Sequence, residues 1–217
     1  MSENQQHTLP AESSAPSQTL PTHPTDAQRP LLTDEQLAHL PAQHPLRAGT
    51  AASSPMLQAL TGRPSSHRPV WFMRQAGRSL PEYRRVREGI PMLEACLTPE
   101  LAAEITVQPV RRHKVDAGIF FSDIVIPMKL AGVNVDIVPG KGPVLDRPVR
   151  TLEDVRALPE LTESALDPIR EAIAATVEML GDTPLIGFAG APFTVAAYMV
   201  EGGPSRDHLR PRTMMHA

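Results

Sequence analysis

Aromatic residues and cysteine are scarce in this chain. Aromatic side chains make up 4% of the 217 residues, so a packed core has to be built mostly from aliphatic side chains. The single cysteine, Cys96, excludes a disulfide within the chain and is typical of a reducing compartment. No apolar run reaches the ~20 residues that a membrane helix needs, and the N-terminal region has no apolar segment of a secretory signal. We therefore expect a cytoplasmic protein without membrane or nucleic-acid partners.

Metal-ligand patterns are also missing. The eight histidines are scattered, and none has the spacing to a cysteine or to a second histidine that is typical of a zinc site. The sequence therefore predicts no metal site.

Residues 1–54 differ in composition from the rest of the chain. They are rich in Pro, Ser, Thr, Gln and Ala and contain almost no aromatic or branched apolar residues. Such a segment cannot bury enough surface to offset the entropy lost on ordering. We predict a disordered N-terminal tail over residues 1–54 and one domain over residues 55–217.

The domain shows an alternation of helical and strand patterns. Residues 117–121 and 184–189 are short apolar runs without alternation, which is typical of strands buried on both faces of a parallel sheet. Asp167 and Pro168 open a helix with a continuous apolar stripe, and Gly181 closes it. Helix followed by buried strand occurs twice and predicts parallel β/α units.

Shorter helices are predicted from local end signals. Residues 55–60 and 80–88 have helical patterns, and Thr98 with Pro99 is a helix start in which Thr98 is the N-cap. Thr151 and Asp154 have the spacing of a capping box. Residues 133–138 alternate apolar and polar side chains, which indicates an exposed strand or hairpin arm.

Positive charge is concentrated in one segment. Six arginines and a single acid, Glu82, lie between Arg68 and Arg87, although the whole chain has a formal net charge of −3. A guanidinium group is always charged, and its fork of donors matches a carboxylate or phosphate. A solvated basic helix face is the alternative. The apolar residues interspersed among the arginines favour a partly buried loop that binds a small, strongly anionic ligand.

Three segments resemble, in the same order, signatures of the uroporphyrinogen decarboxylase family. The first is Pro69-Val70-Trp71-Phe72-Met73-Arg74-Gln75-Ala76-Gly77-Arg78-Ser79-Leu80-Pro81-Glu82-Tyr83. The second is Phe121-Ser122-Asp123-Ile124 followed by Pro127, and the third is residues 184–203. Ser79 stands where the family usually has an aromatic residue, and Phe193 where it usually has Trp. Both changes can loosen packing around the site, but neither removes a charge.

The resemblance covers roughly residues 63–217 and implies a (β/α)8 TIM barrel. Such barrels need about 250 residues, so we expect only the first half of the barrel in this chain, after the disordered tail. The family forms homodimers, and the resemblance implies the same for the full-length protein.

The activity implied by the resemblance is that of a carboxy-lyase of haem biosynthesis. It converts the four acetate side chains of uroporphyrinogen III to methyl groups and so gives coproporphyrinogen III. No cofactor is expected, because an electron-rich pyrrole can be protonated on carbon and can itself accept the electron pair.

The resemblance also assigns site residues. Asp123, Arg74 and Tyr198 are the expected catalytic residues. The expected substrate-binding residues are Arg74, Gln75, Ala76, Gly77, Arg78, Asp123 and Tyr198. Two alternatives stay open from the residues alone: Asp123 can cap a loop after its strand, and Tyr198 can be a helix residue that packs in the core.

Two other functions are compatible with the pattern. One is a methyltransferase of the same fold that uses a cobamide or thiol methyl carrier. The other is an inactive fragment that only binds porphyrinogen, because half a barrel leaves a strand edge unpaired.

Overall fold

The computed structural model of the protein describes residues 38–39, 51–72 and 80–216. The motif of Arg74, Gln75, Ala76, Gly77 and Arg78 lies outside the described residues, as does most of the tail predicted over residues 1–54. From that tail, Ala51 and Ser54 are described and are buried, and the Ser54 hydroxyl accepts a hydrogen bond from Leu57 N at the start of the first helix.

The described part of the chain is a mixed α/β fold. Its helices are α1 (Pro55–Leu60), α2 (Pro81–Val86), α3 (Met92–Leu97), α4 (Pro99–His113), α5 (Ile126–Leu130), α6 (Leu152–Arg156), α7 (Asp167–Leu180), α8 (Pro192–Glu201) and α9 (Leu209–Met214). Its strands are β1 (Gly118–Ile119), β2 (Val135–Val138), β3 (Gly142–Leu145) and β4 (Leu185–Ile186).

The predicted parallel pairing is confirmed. β1 runs parallel to β4, with Gly118 opposite Leu185 and Ile119 opposite Ile186. The chain between them includes the long helix α7, which is the crossover that a parallel pair requires. The two strands do not form part of a closed barrel within the described residues, because β1 and β4 make a sheet of two strands there.

Helix α4 is the main support of β1. It begins at Pro99, carries Glu100 in its first turn and has Arg111, Arg112 and His113 in its last turn, which suits the helix dipole at both ends. Its inner face packs along α7 and forms the core together with β1. The aliphatic core predicted from the shortage of aromatic residues is confirmed.

Thr98 differs from the prediction. It stands at the N-cap position of α4, but its side chain makes no capping hydrogen bond. The hydroxyl donates instead to Glu94 O in the preceding helix, 2.9 Å away. The reason is the short helix α3, which the sequence patterns did not predict and which ends one residue before Thr98.

Other end signals behave as predicted. The capping box of Thr151 and Asp154 is formed, and α7 ends at Gly181, where a positive φ of 58° suits glycine. The apolar stripe of α7 is buried only in part. Ala172, Thr176 and Leu180 are buried, whereas Ile173 and Val177 are 40% and 39% exposed.

A β-hairpin formed by β2 and β3 holds helix α8 in place. The antiparallel pair confirms the exposed strand predicted over residues 133–138. Leu145 N donates to Gly202 O at 3.0 Å, and Val149 N donates to Met199 O at 2.9 Å. These bonds fix the C-terminal end of α8, the helix that carries Tyr198.

Candidate active site at the carboxyl ends of β1 and β4

Asp123 lies just after the carboxyl end of β1. Phe120 N donates to Ile186 O at 3.0 Å, so the parallel pairing continues one residue past β1. The loops that follow β1 and β4 then lie side by side: the position of a Cβ at Gly190 is 3.0 Å from Ile124 Cβ. Ligands of parallel α/β folds bind outside the carboxyl ends of the strands, so this is the candidate site.

The Asp123 carboxylate caps its own turn with one oxygen. Oδ1 accepts a hydrogen bond from Val125 N at 3.0 Å, and the backbone carbonyl accepts one from Ile126 N at 3.1 Å. Within the described ranges, Oδ2 accepts no hydrogen bond. The loop-capping interpretation of Asp123 is therefore correct for one oxygen, and the second oxygen is available to a ligand.

Arg87 is a site residue that the sequence analysis missed. Its Nε and Nη1 atoms are buried and have no hydrogen-bond partner in the described part of the chain. Its guanidinium carbon lies 5.9 Å from the centre of the Tyr83 ring, and that ring packs edge-on against Phe121 at 6.2 Å. Buried polar groups are almost always paired, so an unpaired guanidinium here points to an anionic ligand. The available signal was the spacing of Tyr83 and Arg87, which places both on one face of a helix.

Cys96 connects Arg87 with Asp123 electrostatically. The thiol is fully buried, and its pKa is raised to about 12, first by burial and second by the negative charge of Asp123. The positive charge of Arg87 acts in the opposite direction and lowers it. The Asp123 carboxylate and the Arg87 guanidinium therefore act in opposite directions on the pKa of the same buried thiol.

Tyr198 fits the core-packing alternative. It lies on α8, is partly buried and packs against the hydrophobic core cluster. The described residues contain no hydrogen bond between its hydroxyl and Asp123. Its role in catalysis stays a prediction.

The segment before the arginine motif is attached to the start of β1. Val70 N donates to one Asp116 oxygen at 2.7 Å, and Asp116 N donates to Val70 O at 2.8 Å. His67 Nε2 lies 2.8 Å from the other Asp116 oxygen. After the motif, buried Leu80 leads into α2. The flank before the motif is therefore tied to the start of β1, and the flank after it begins with a buried side chain.

A large apolar cavity is lined by β4 and its flanks, by part of α7 and by residues after β1. Its volume is 590 Å³, and its lining includes residues between Gly181 and Gly190 as well as Ser122 and Asp123. Most of its lining is apolar and includes Ile173, Val177 and Phe188, which are 40%, 39% and 45% exposed. Because β4 is at the sheet edge in the described fold, Leu185 and Ile186 are only half-buried, although the sequence predicted burial on both faces.

Among residues 51–72 and 80–216, no three His, Cys, Asp or Glu side chains come together in a way that could hold a metal ion. None of the described helices has the length and apolar character to cross a membrane.

The Cys96 thiol is expected to resist modification in the folded chain. The raised pKa keeps it protonated up to about 12, whereas the thiol of the unfolded chain ionises near 9.0. The stability from this difference is fully present below pH 9.0 and is lost as pH rises from there towards 12. The loss is about 1.4 kcal/mol per pH unit in this window. Labelling with a disulfide reagent at neutral pH should require denaturant, and rapid labelling of native protein would contradict the burial.

Gly190 is expected to tolerate no side chain. A Cβ there would lie 2.7 Å from Val195 Cγ2 and 3.0 Å from Ile124 Cβ. We expect Gly190→Ala to lower the free energy of unfolding by about 1–3 kcal/mol and to move the loop next to Asp123. Gly187→Ala is the matched control, because no atom lies within 4 Å of a Cβ at that position. Denaturant titration of both variants checks this, and equal midpoints would show that the two loops are not in close contact.

Comparison with known proteins identifies relatives over most of the chain. The family model of uroporphyrinogen decarboxylase (URO-D) matches residues 51–217. The uroporphyrinogen decarboxylase of Arthrobacter sp. (strain FB24) is 75% identical over 169 residues, which are 78% of this chain and 49% of that protein. The protein of the same name from Saccharopolyspora erythraea is 61% identical over 166 residues, 76% of this chain and 46% of that protein. The chain thus spans about half the length of the curated relatives it matches.

A solved structure shares the fold. A methyltransferase from Methanosarcina mazei superimposes with a TM-score of 0.50 at 22% sequence identity, over 67% of this chain and 44% of that chain. At this identity the likeness concerns the fold and not the reaction. The family match extends over more than three quarters of the chain and includes the loop of Asp123 and the arginine motif. The chain therefore belongs to the uroporphyrinogen decarboxylase family.

Proposed function

We propose that residues 55–217 are the first half of a (β/α)8 barrel and that a disordered tail precedes it, which ends before the buried residues Ala51 and Ser54. The parallel pair β1 and β4 with helices α4 and α7 on one side is the arrangement of successive barrel units. The apolar cavity along β4, with half-exposed Ile173 and Val177, then corresponds to the place of the next β/α unit.

We propose further that the whole protein is a carboxy-lyase. It removes carbon dioxide from the four acetate side chains of uroporphyrinogen III and yields coproporphyrinogen III in haem biosynthesis. The observations that carry this proposal are Asp123, with one carboxylate oxygen that caps no backbone group, and Arg87, whose Nε and Nη1 are buried without a hydrogen-bond partner among the described residues. A carboxylate after the carboxyl end of β1 and a partly buried cation beside Tyr83 suit a ligand that has N–H donors and peripheral acids.

In this proposal the Asp123 carboxylate accepts hydrogen bonds from the centre of the substrate macrocycle. The four pyrrole N–H groups of a porphyrinogen can point inward, and a carboxylate can accept several of them. Its charge also stabilises the positive charge that develops when a pyrrole carbon is protonated. The C–C bond to the departing carboxylate then breaks, its electron pair returns to the ring system and carbon dioxide leaves. Protonation of the new exocyclic carbon gives the methyl group, and loss of the proton first added to the ring carbon restores the pyrrole.

The arginines bind the rim of the substrate. Arg74 and Arg78 pair with acetate and propionate carboxylates, with backbone approach at Gln75, Ala76 and Gly77, and Arg87 adds a further cation. A firm ion pair to the reacting carboxylate would stabilise the ground state and slow its loss, so the strongest pairs belong to the carboxylates that do not react. The hydroxyl of Tyr198 is a candidate donor to a carboxylate.

The decisive experiment uses a completed protein. We define it as residues 1–217 of this chain followed by the part of the Arthrobacter relative that lies beyond the matched region. Incubated without oxygen and without added metal or cofactor, it should convert uroporphyrinogen III to coproporphyrinogen III, measured by chromatography of the oxidised porphyrins. A folded completed protein that leaves the substrate unchanged would refute the decarboxylase proposal.

The two alternatives predict different results. Activity that depends on zinc or on a cobamide would favour a methyltransferase, a function that the family match over residues 51–217 does not favour. The 217-residue chain tested by itself distinguishes an active enzyme from a fragment that binds porphyrin without turnover. We also propose that the completed protein is a cytoplasmic homodimer, which size-exclusion chromatography with light scattering tests.

A further inference from the structure

Thr106 joins helix α4 to the end of strand β1. The side chain is almost completely buried, and its hydroxyl makes two hydrogen bonds. It donates to Ala102 O one turn earlier at 2.7 Å, and it accepts a bond from Phe121 N at 2.9 Å. A hydroxyl has one donor and two acceptor positions, so both bonds can form together.

Phe121 N is bonded by a side chain of α4 and not by β4. Gly118 N and Phe120 N donate to carbonyls of the β4 segment, at 2.9 Å and 3.0 Å. Successive backbone N–H groups of a strand point to opposite sides, so Phe121 N points away from β4. There it meets the Thr106 hydroxyl. The strand pairing therefore ends at Phe121, and the chain turns into the loop of Asp123.

We propose that Thr106 is a positioning residue for Asp123, an inference that rests on the proposed function. Phe121 is two residues before Asp123, and Val125 N holds the carboxylate from two residues after it. The loop is thereby held at two points, one supplied by its own turn and one by α4. Thr106 acts through the backbone of Phe121 and touches no substrate.

Thr176 provides a matched control on helix α7. It is also fully buried, and its hydroxyl donates to Ala172 O one turn earlier at 2.6 Å. In the described part of the chain it accepts no N–H from a strand. Replacing either threonine by valine removes the same atom from the same kind of helical site. Only the change at Thr106 leaves a strand N–H without its acceptor.

The experiment compares Thr106→Val, Thr106→Ser and Thr176→Val in the completed protein. We expect Thr106→Val to lower kcat about ten- to a hundredfold with a much smaller change in KM, because misplacement of a catalytic group acts on the reaction more than on binding. Thr106→Ser keeps the hydroxyl and should restore most of kcat. Thr176→Val should keep kcat even if it lowers stability as much as Thr106→Val does. Equal kcat values for the two valine variants, or a serine variant as slow as the valine variant, would overturn the proposal.

A second measurement does not depend on activity. In the 217-residue chain, amide exchange of Phe121 and the carboxyl carbon shift of Asp123 can be followed by NMR. We expect Thr106→Val to speed the exchange of Phe121 and to move the Asp123 signal, while Thr176→Val changes neither. Unchanged Phe121 exchange in Thr106→Val would refute the role of Thr106. Lack of turnover by the wild-type completed protein would instead count against the decarboxylase proposal, and the NMR result would still decide the role of Thr106.

Discussion

Asp123→Asn is expected to lower the turnover of the completed protein by about a hundredfold or more while the fold stays intact. Asn keeps a side-chain oxygen that can accept the bond from Val125 N, now 3.0 Å from Oδ1, so the turn after β1 is preserved. The change removes the negative charge that would face the pyrrole nitrogens. Steady-state kinetics with uroporphyrinogen III measure the loss, and circular dichroism and thermal unfolding check the fold.

Asp136→Asn is the matched control for this prediction. Asp136 lies on β2 and is exposed, and its Oδ1 accepts a bond from the neighbouring Ile137 N at 2.8 Å. It therefore combines a backbone-capping oxygen with an exposed charge on the hairpin, outside the loops that follow β1 and β4, and its variant should keep the wild-type rate. Near-normal turnover by Asp123→Asn would remove the Asp123 charge from the mechanism. Asp123→Ala, which also loses the cap, separates the effect of the turn from that of the charge.

Arg87→Met is expected to stabilise the chain and to weaken its binding of porphyrin. Two guanidinium nitrogens are buried without a partner among the described residues, and such groups cost about 1–3 kcal/mol. Their removal outweighs the loss of the contact with the Tyr83 ring, worth about 0.5–1 kcal/mol, so the free energy of unfolding should rise by about 1 kcal/mol. Binding of a carboxylate-bearing ligand should weaken about ten- to a hundredfold, because hydrogen bonds between charged groups are lost.

The measurements are denaturant titration and fluorescence titration with coproporphyrin III. Arg85→Met removes the same charge from helix α2 at an exposed position and serves as control. It should leave porphyrin affinity close to the wild-type value. A rise in the free energy of unfolding together with a fall in porphyrin affinity is expected only if the guanidinium is unpaired in the free chain and pairs with the bound ligand. An Arg87→Met variant that is less stable and binds coproporphyrin III normally would show that Arg87 has a structural role.

Local signals in the sequence predicted several elements correctly. Helix α1, the capping box at Thr151 and the end of α7 at Gly181 each depend on interactions within one turn of the chain. Such interactions are encoded by neighbouring residues, so their patterns can be read without knowledge of the fold. The apolar runs that contain β1 and β4 also predicted strands and their parallel direction correctly.

Features that depend on contacts with other elements were predicted less well. Thr98 has the sequence of an N-cap, but its hydroxyl donates to Glu94 O of the short helix α3 directly before it and accepts no bond from the N–H groups of α4. The stripe of α7 is apolar throughout, yet burial of Ile173 and Val177 depends on what packs against them. Whether a side chain is buried depends on the element that packs against its helix, and the periodicity of the helix sequence carries no information about that element.

The sequence by itself determined the family, through three motifs in order, and the alternation of α7 with the parallel strands β1 and β4, because both are carried by residues close together in the chain. Only the tertiary structure decided which buried polar groups have no hydrogen-bond partner among the described residues and which form bonds between two elements. Arg87 is one of six arginines in its segment, and the burial of its Nε and Nη1 without a partner among the described residues accompanies its packing on Tyr83. The bond between Thr106 and Phe121 N joins residues 15 positions apart on a helix and a strand. Such contacts depend on how elements meet in space, and the spacing of residues along one element does not encode them.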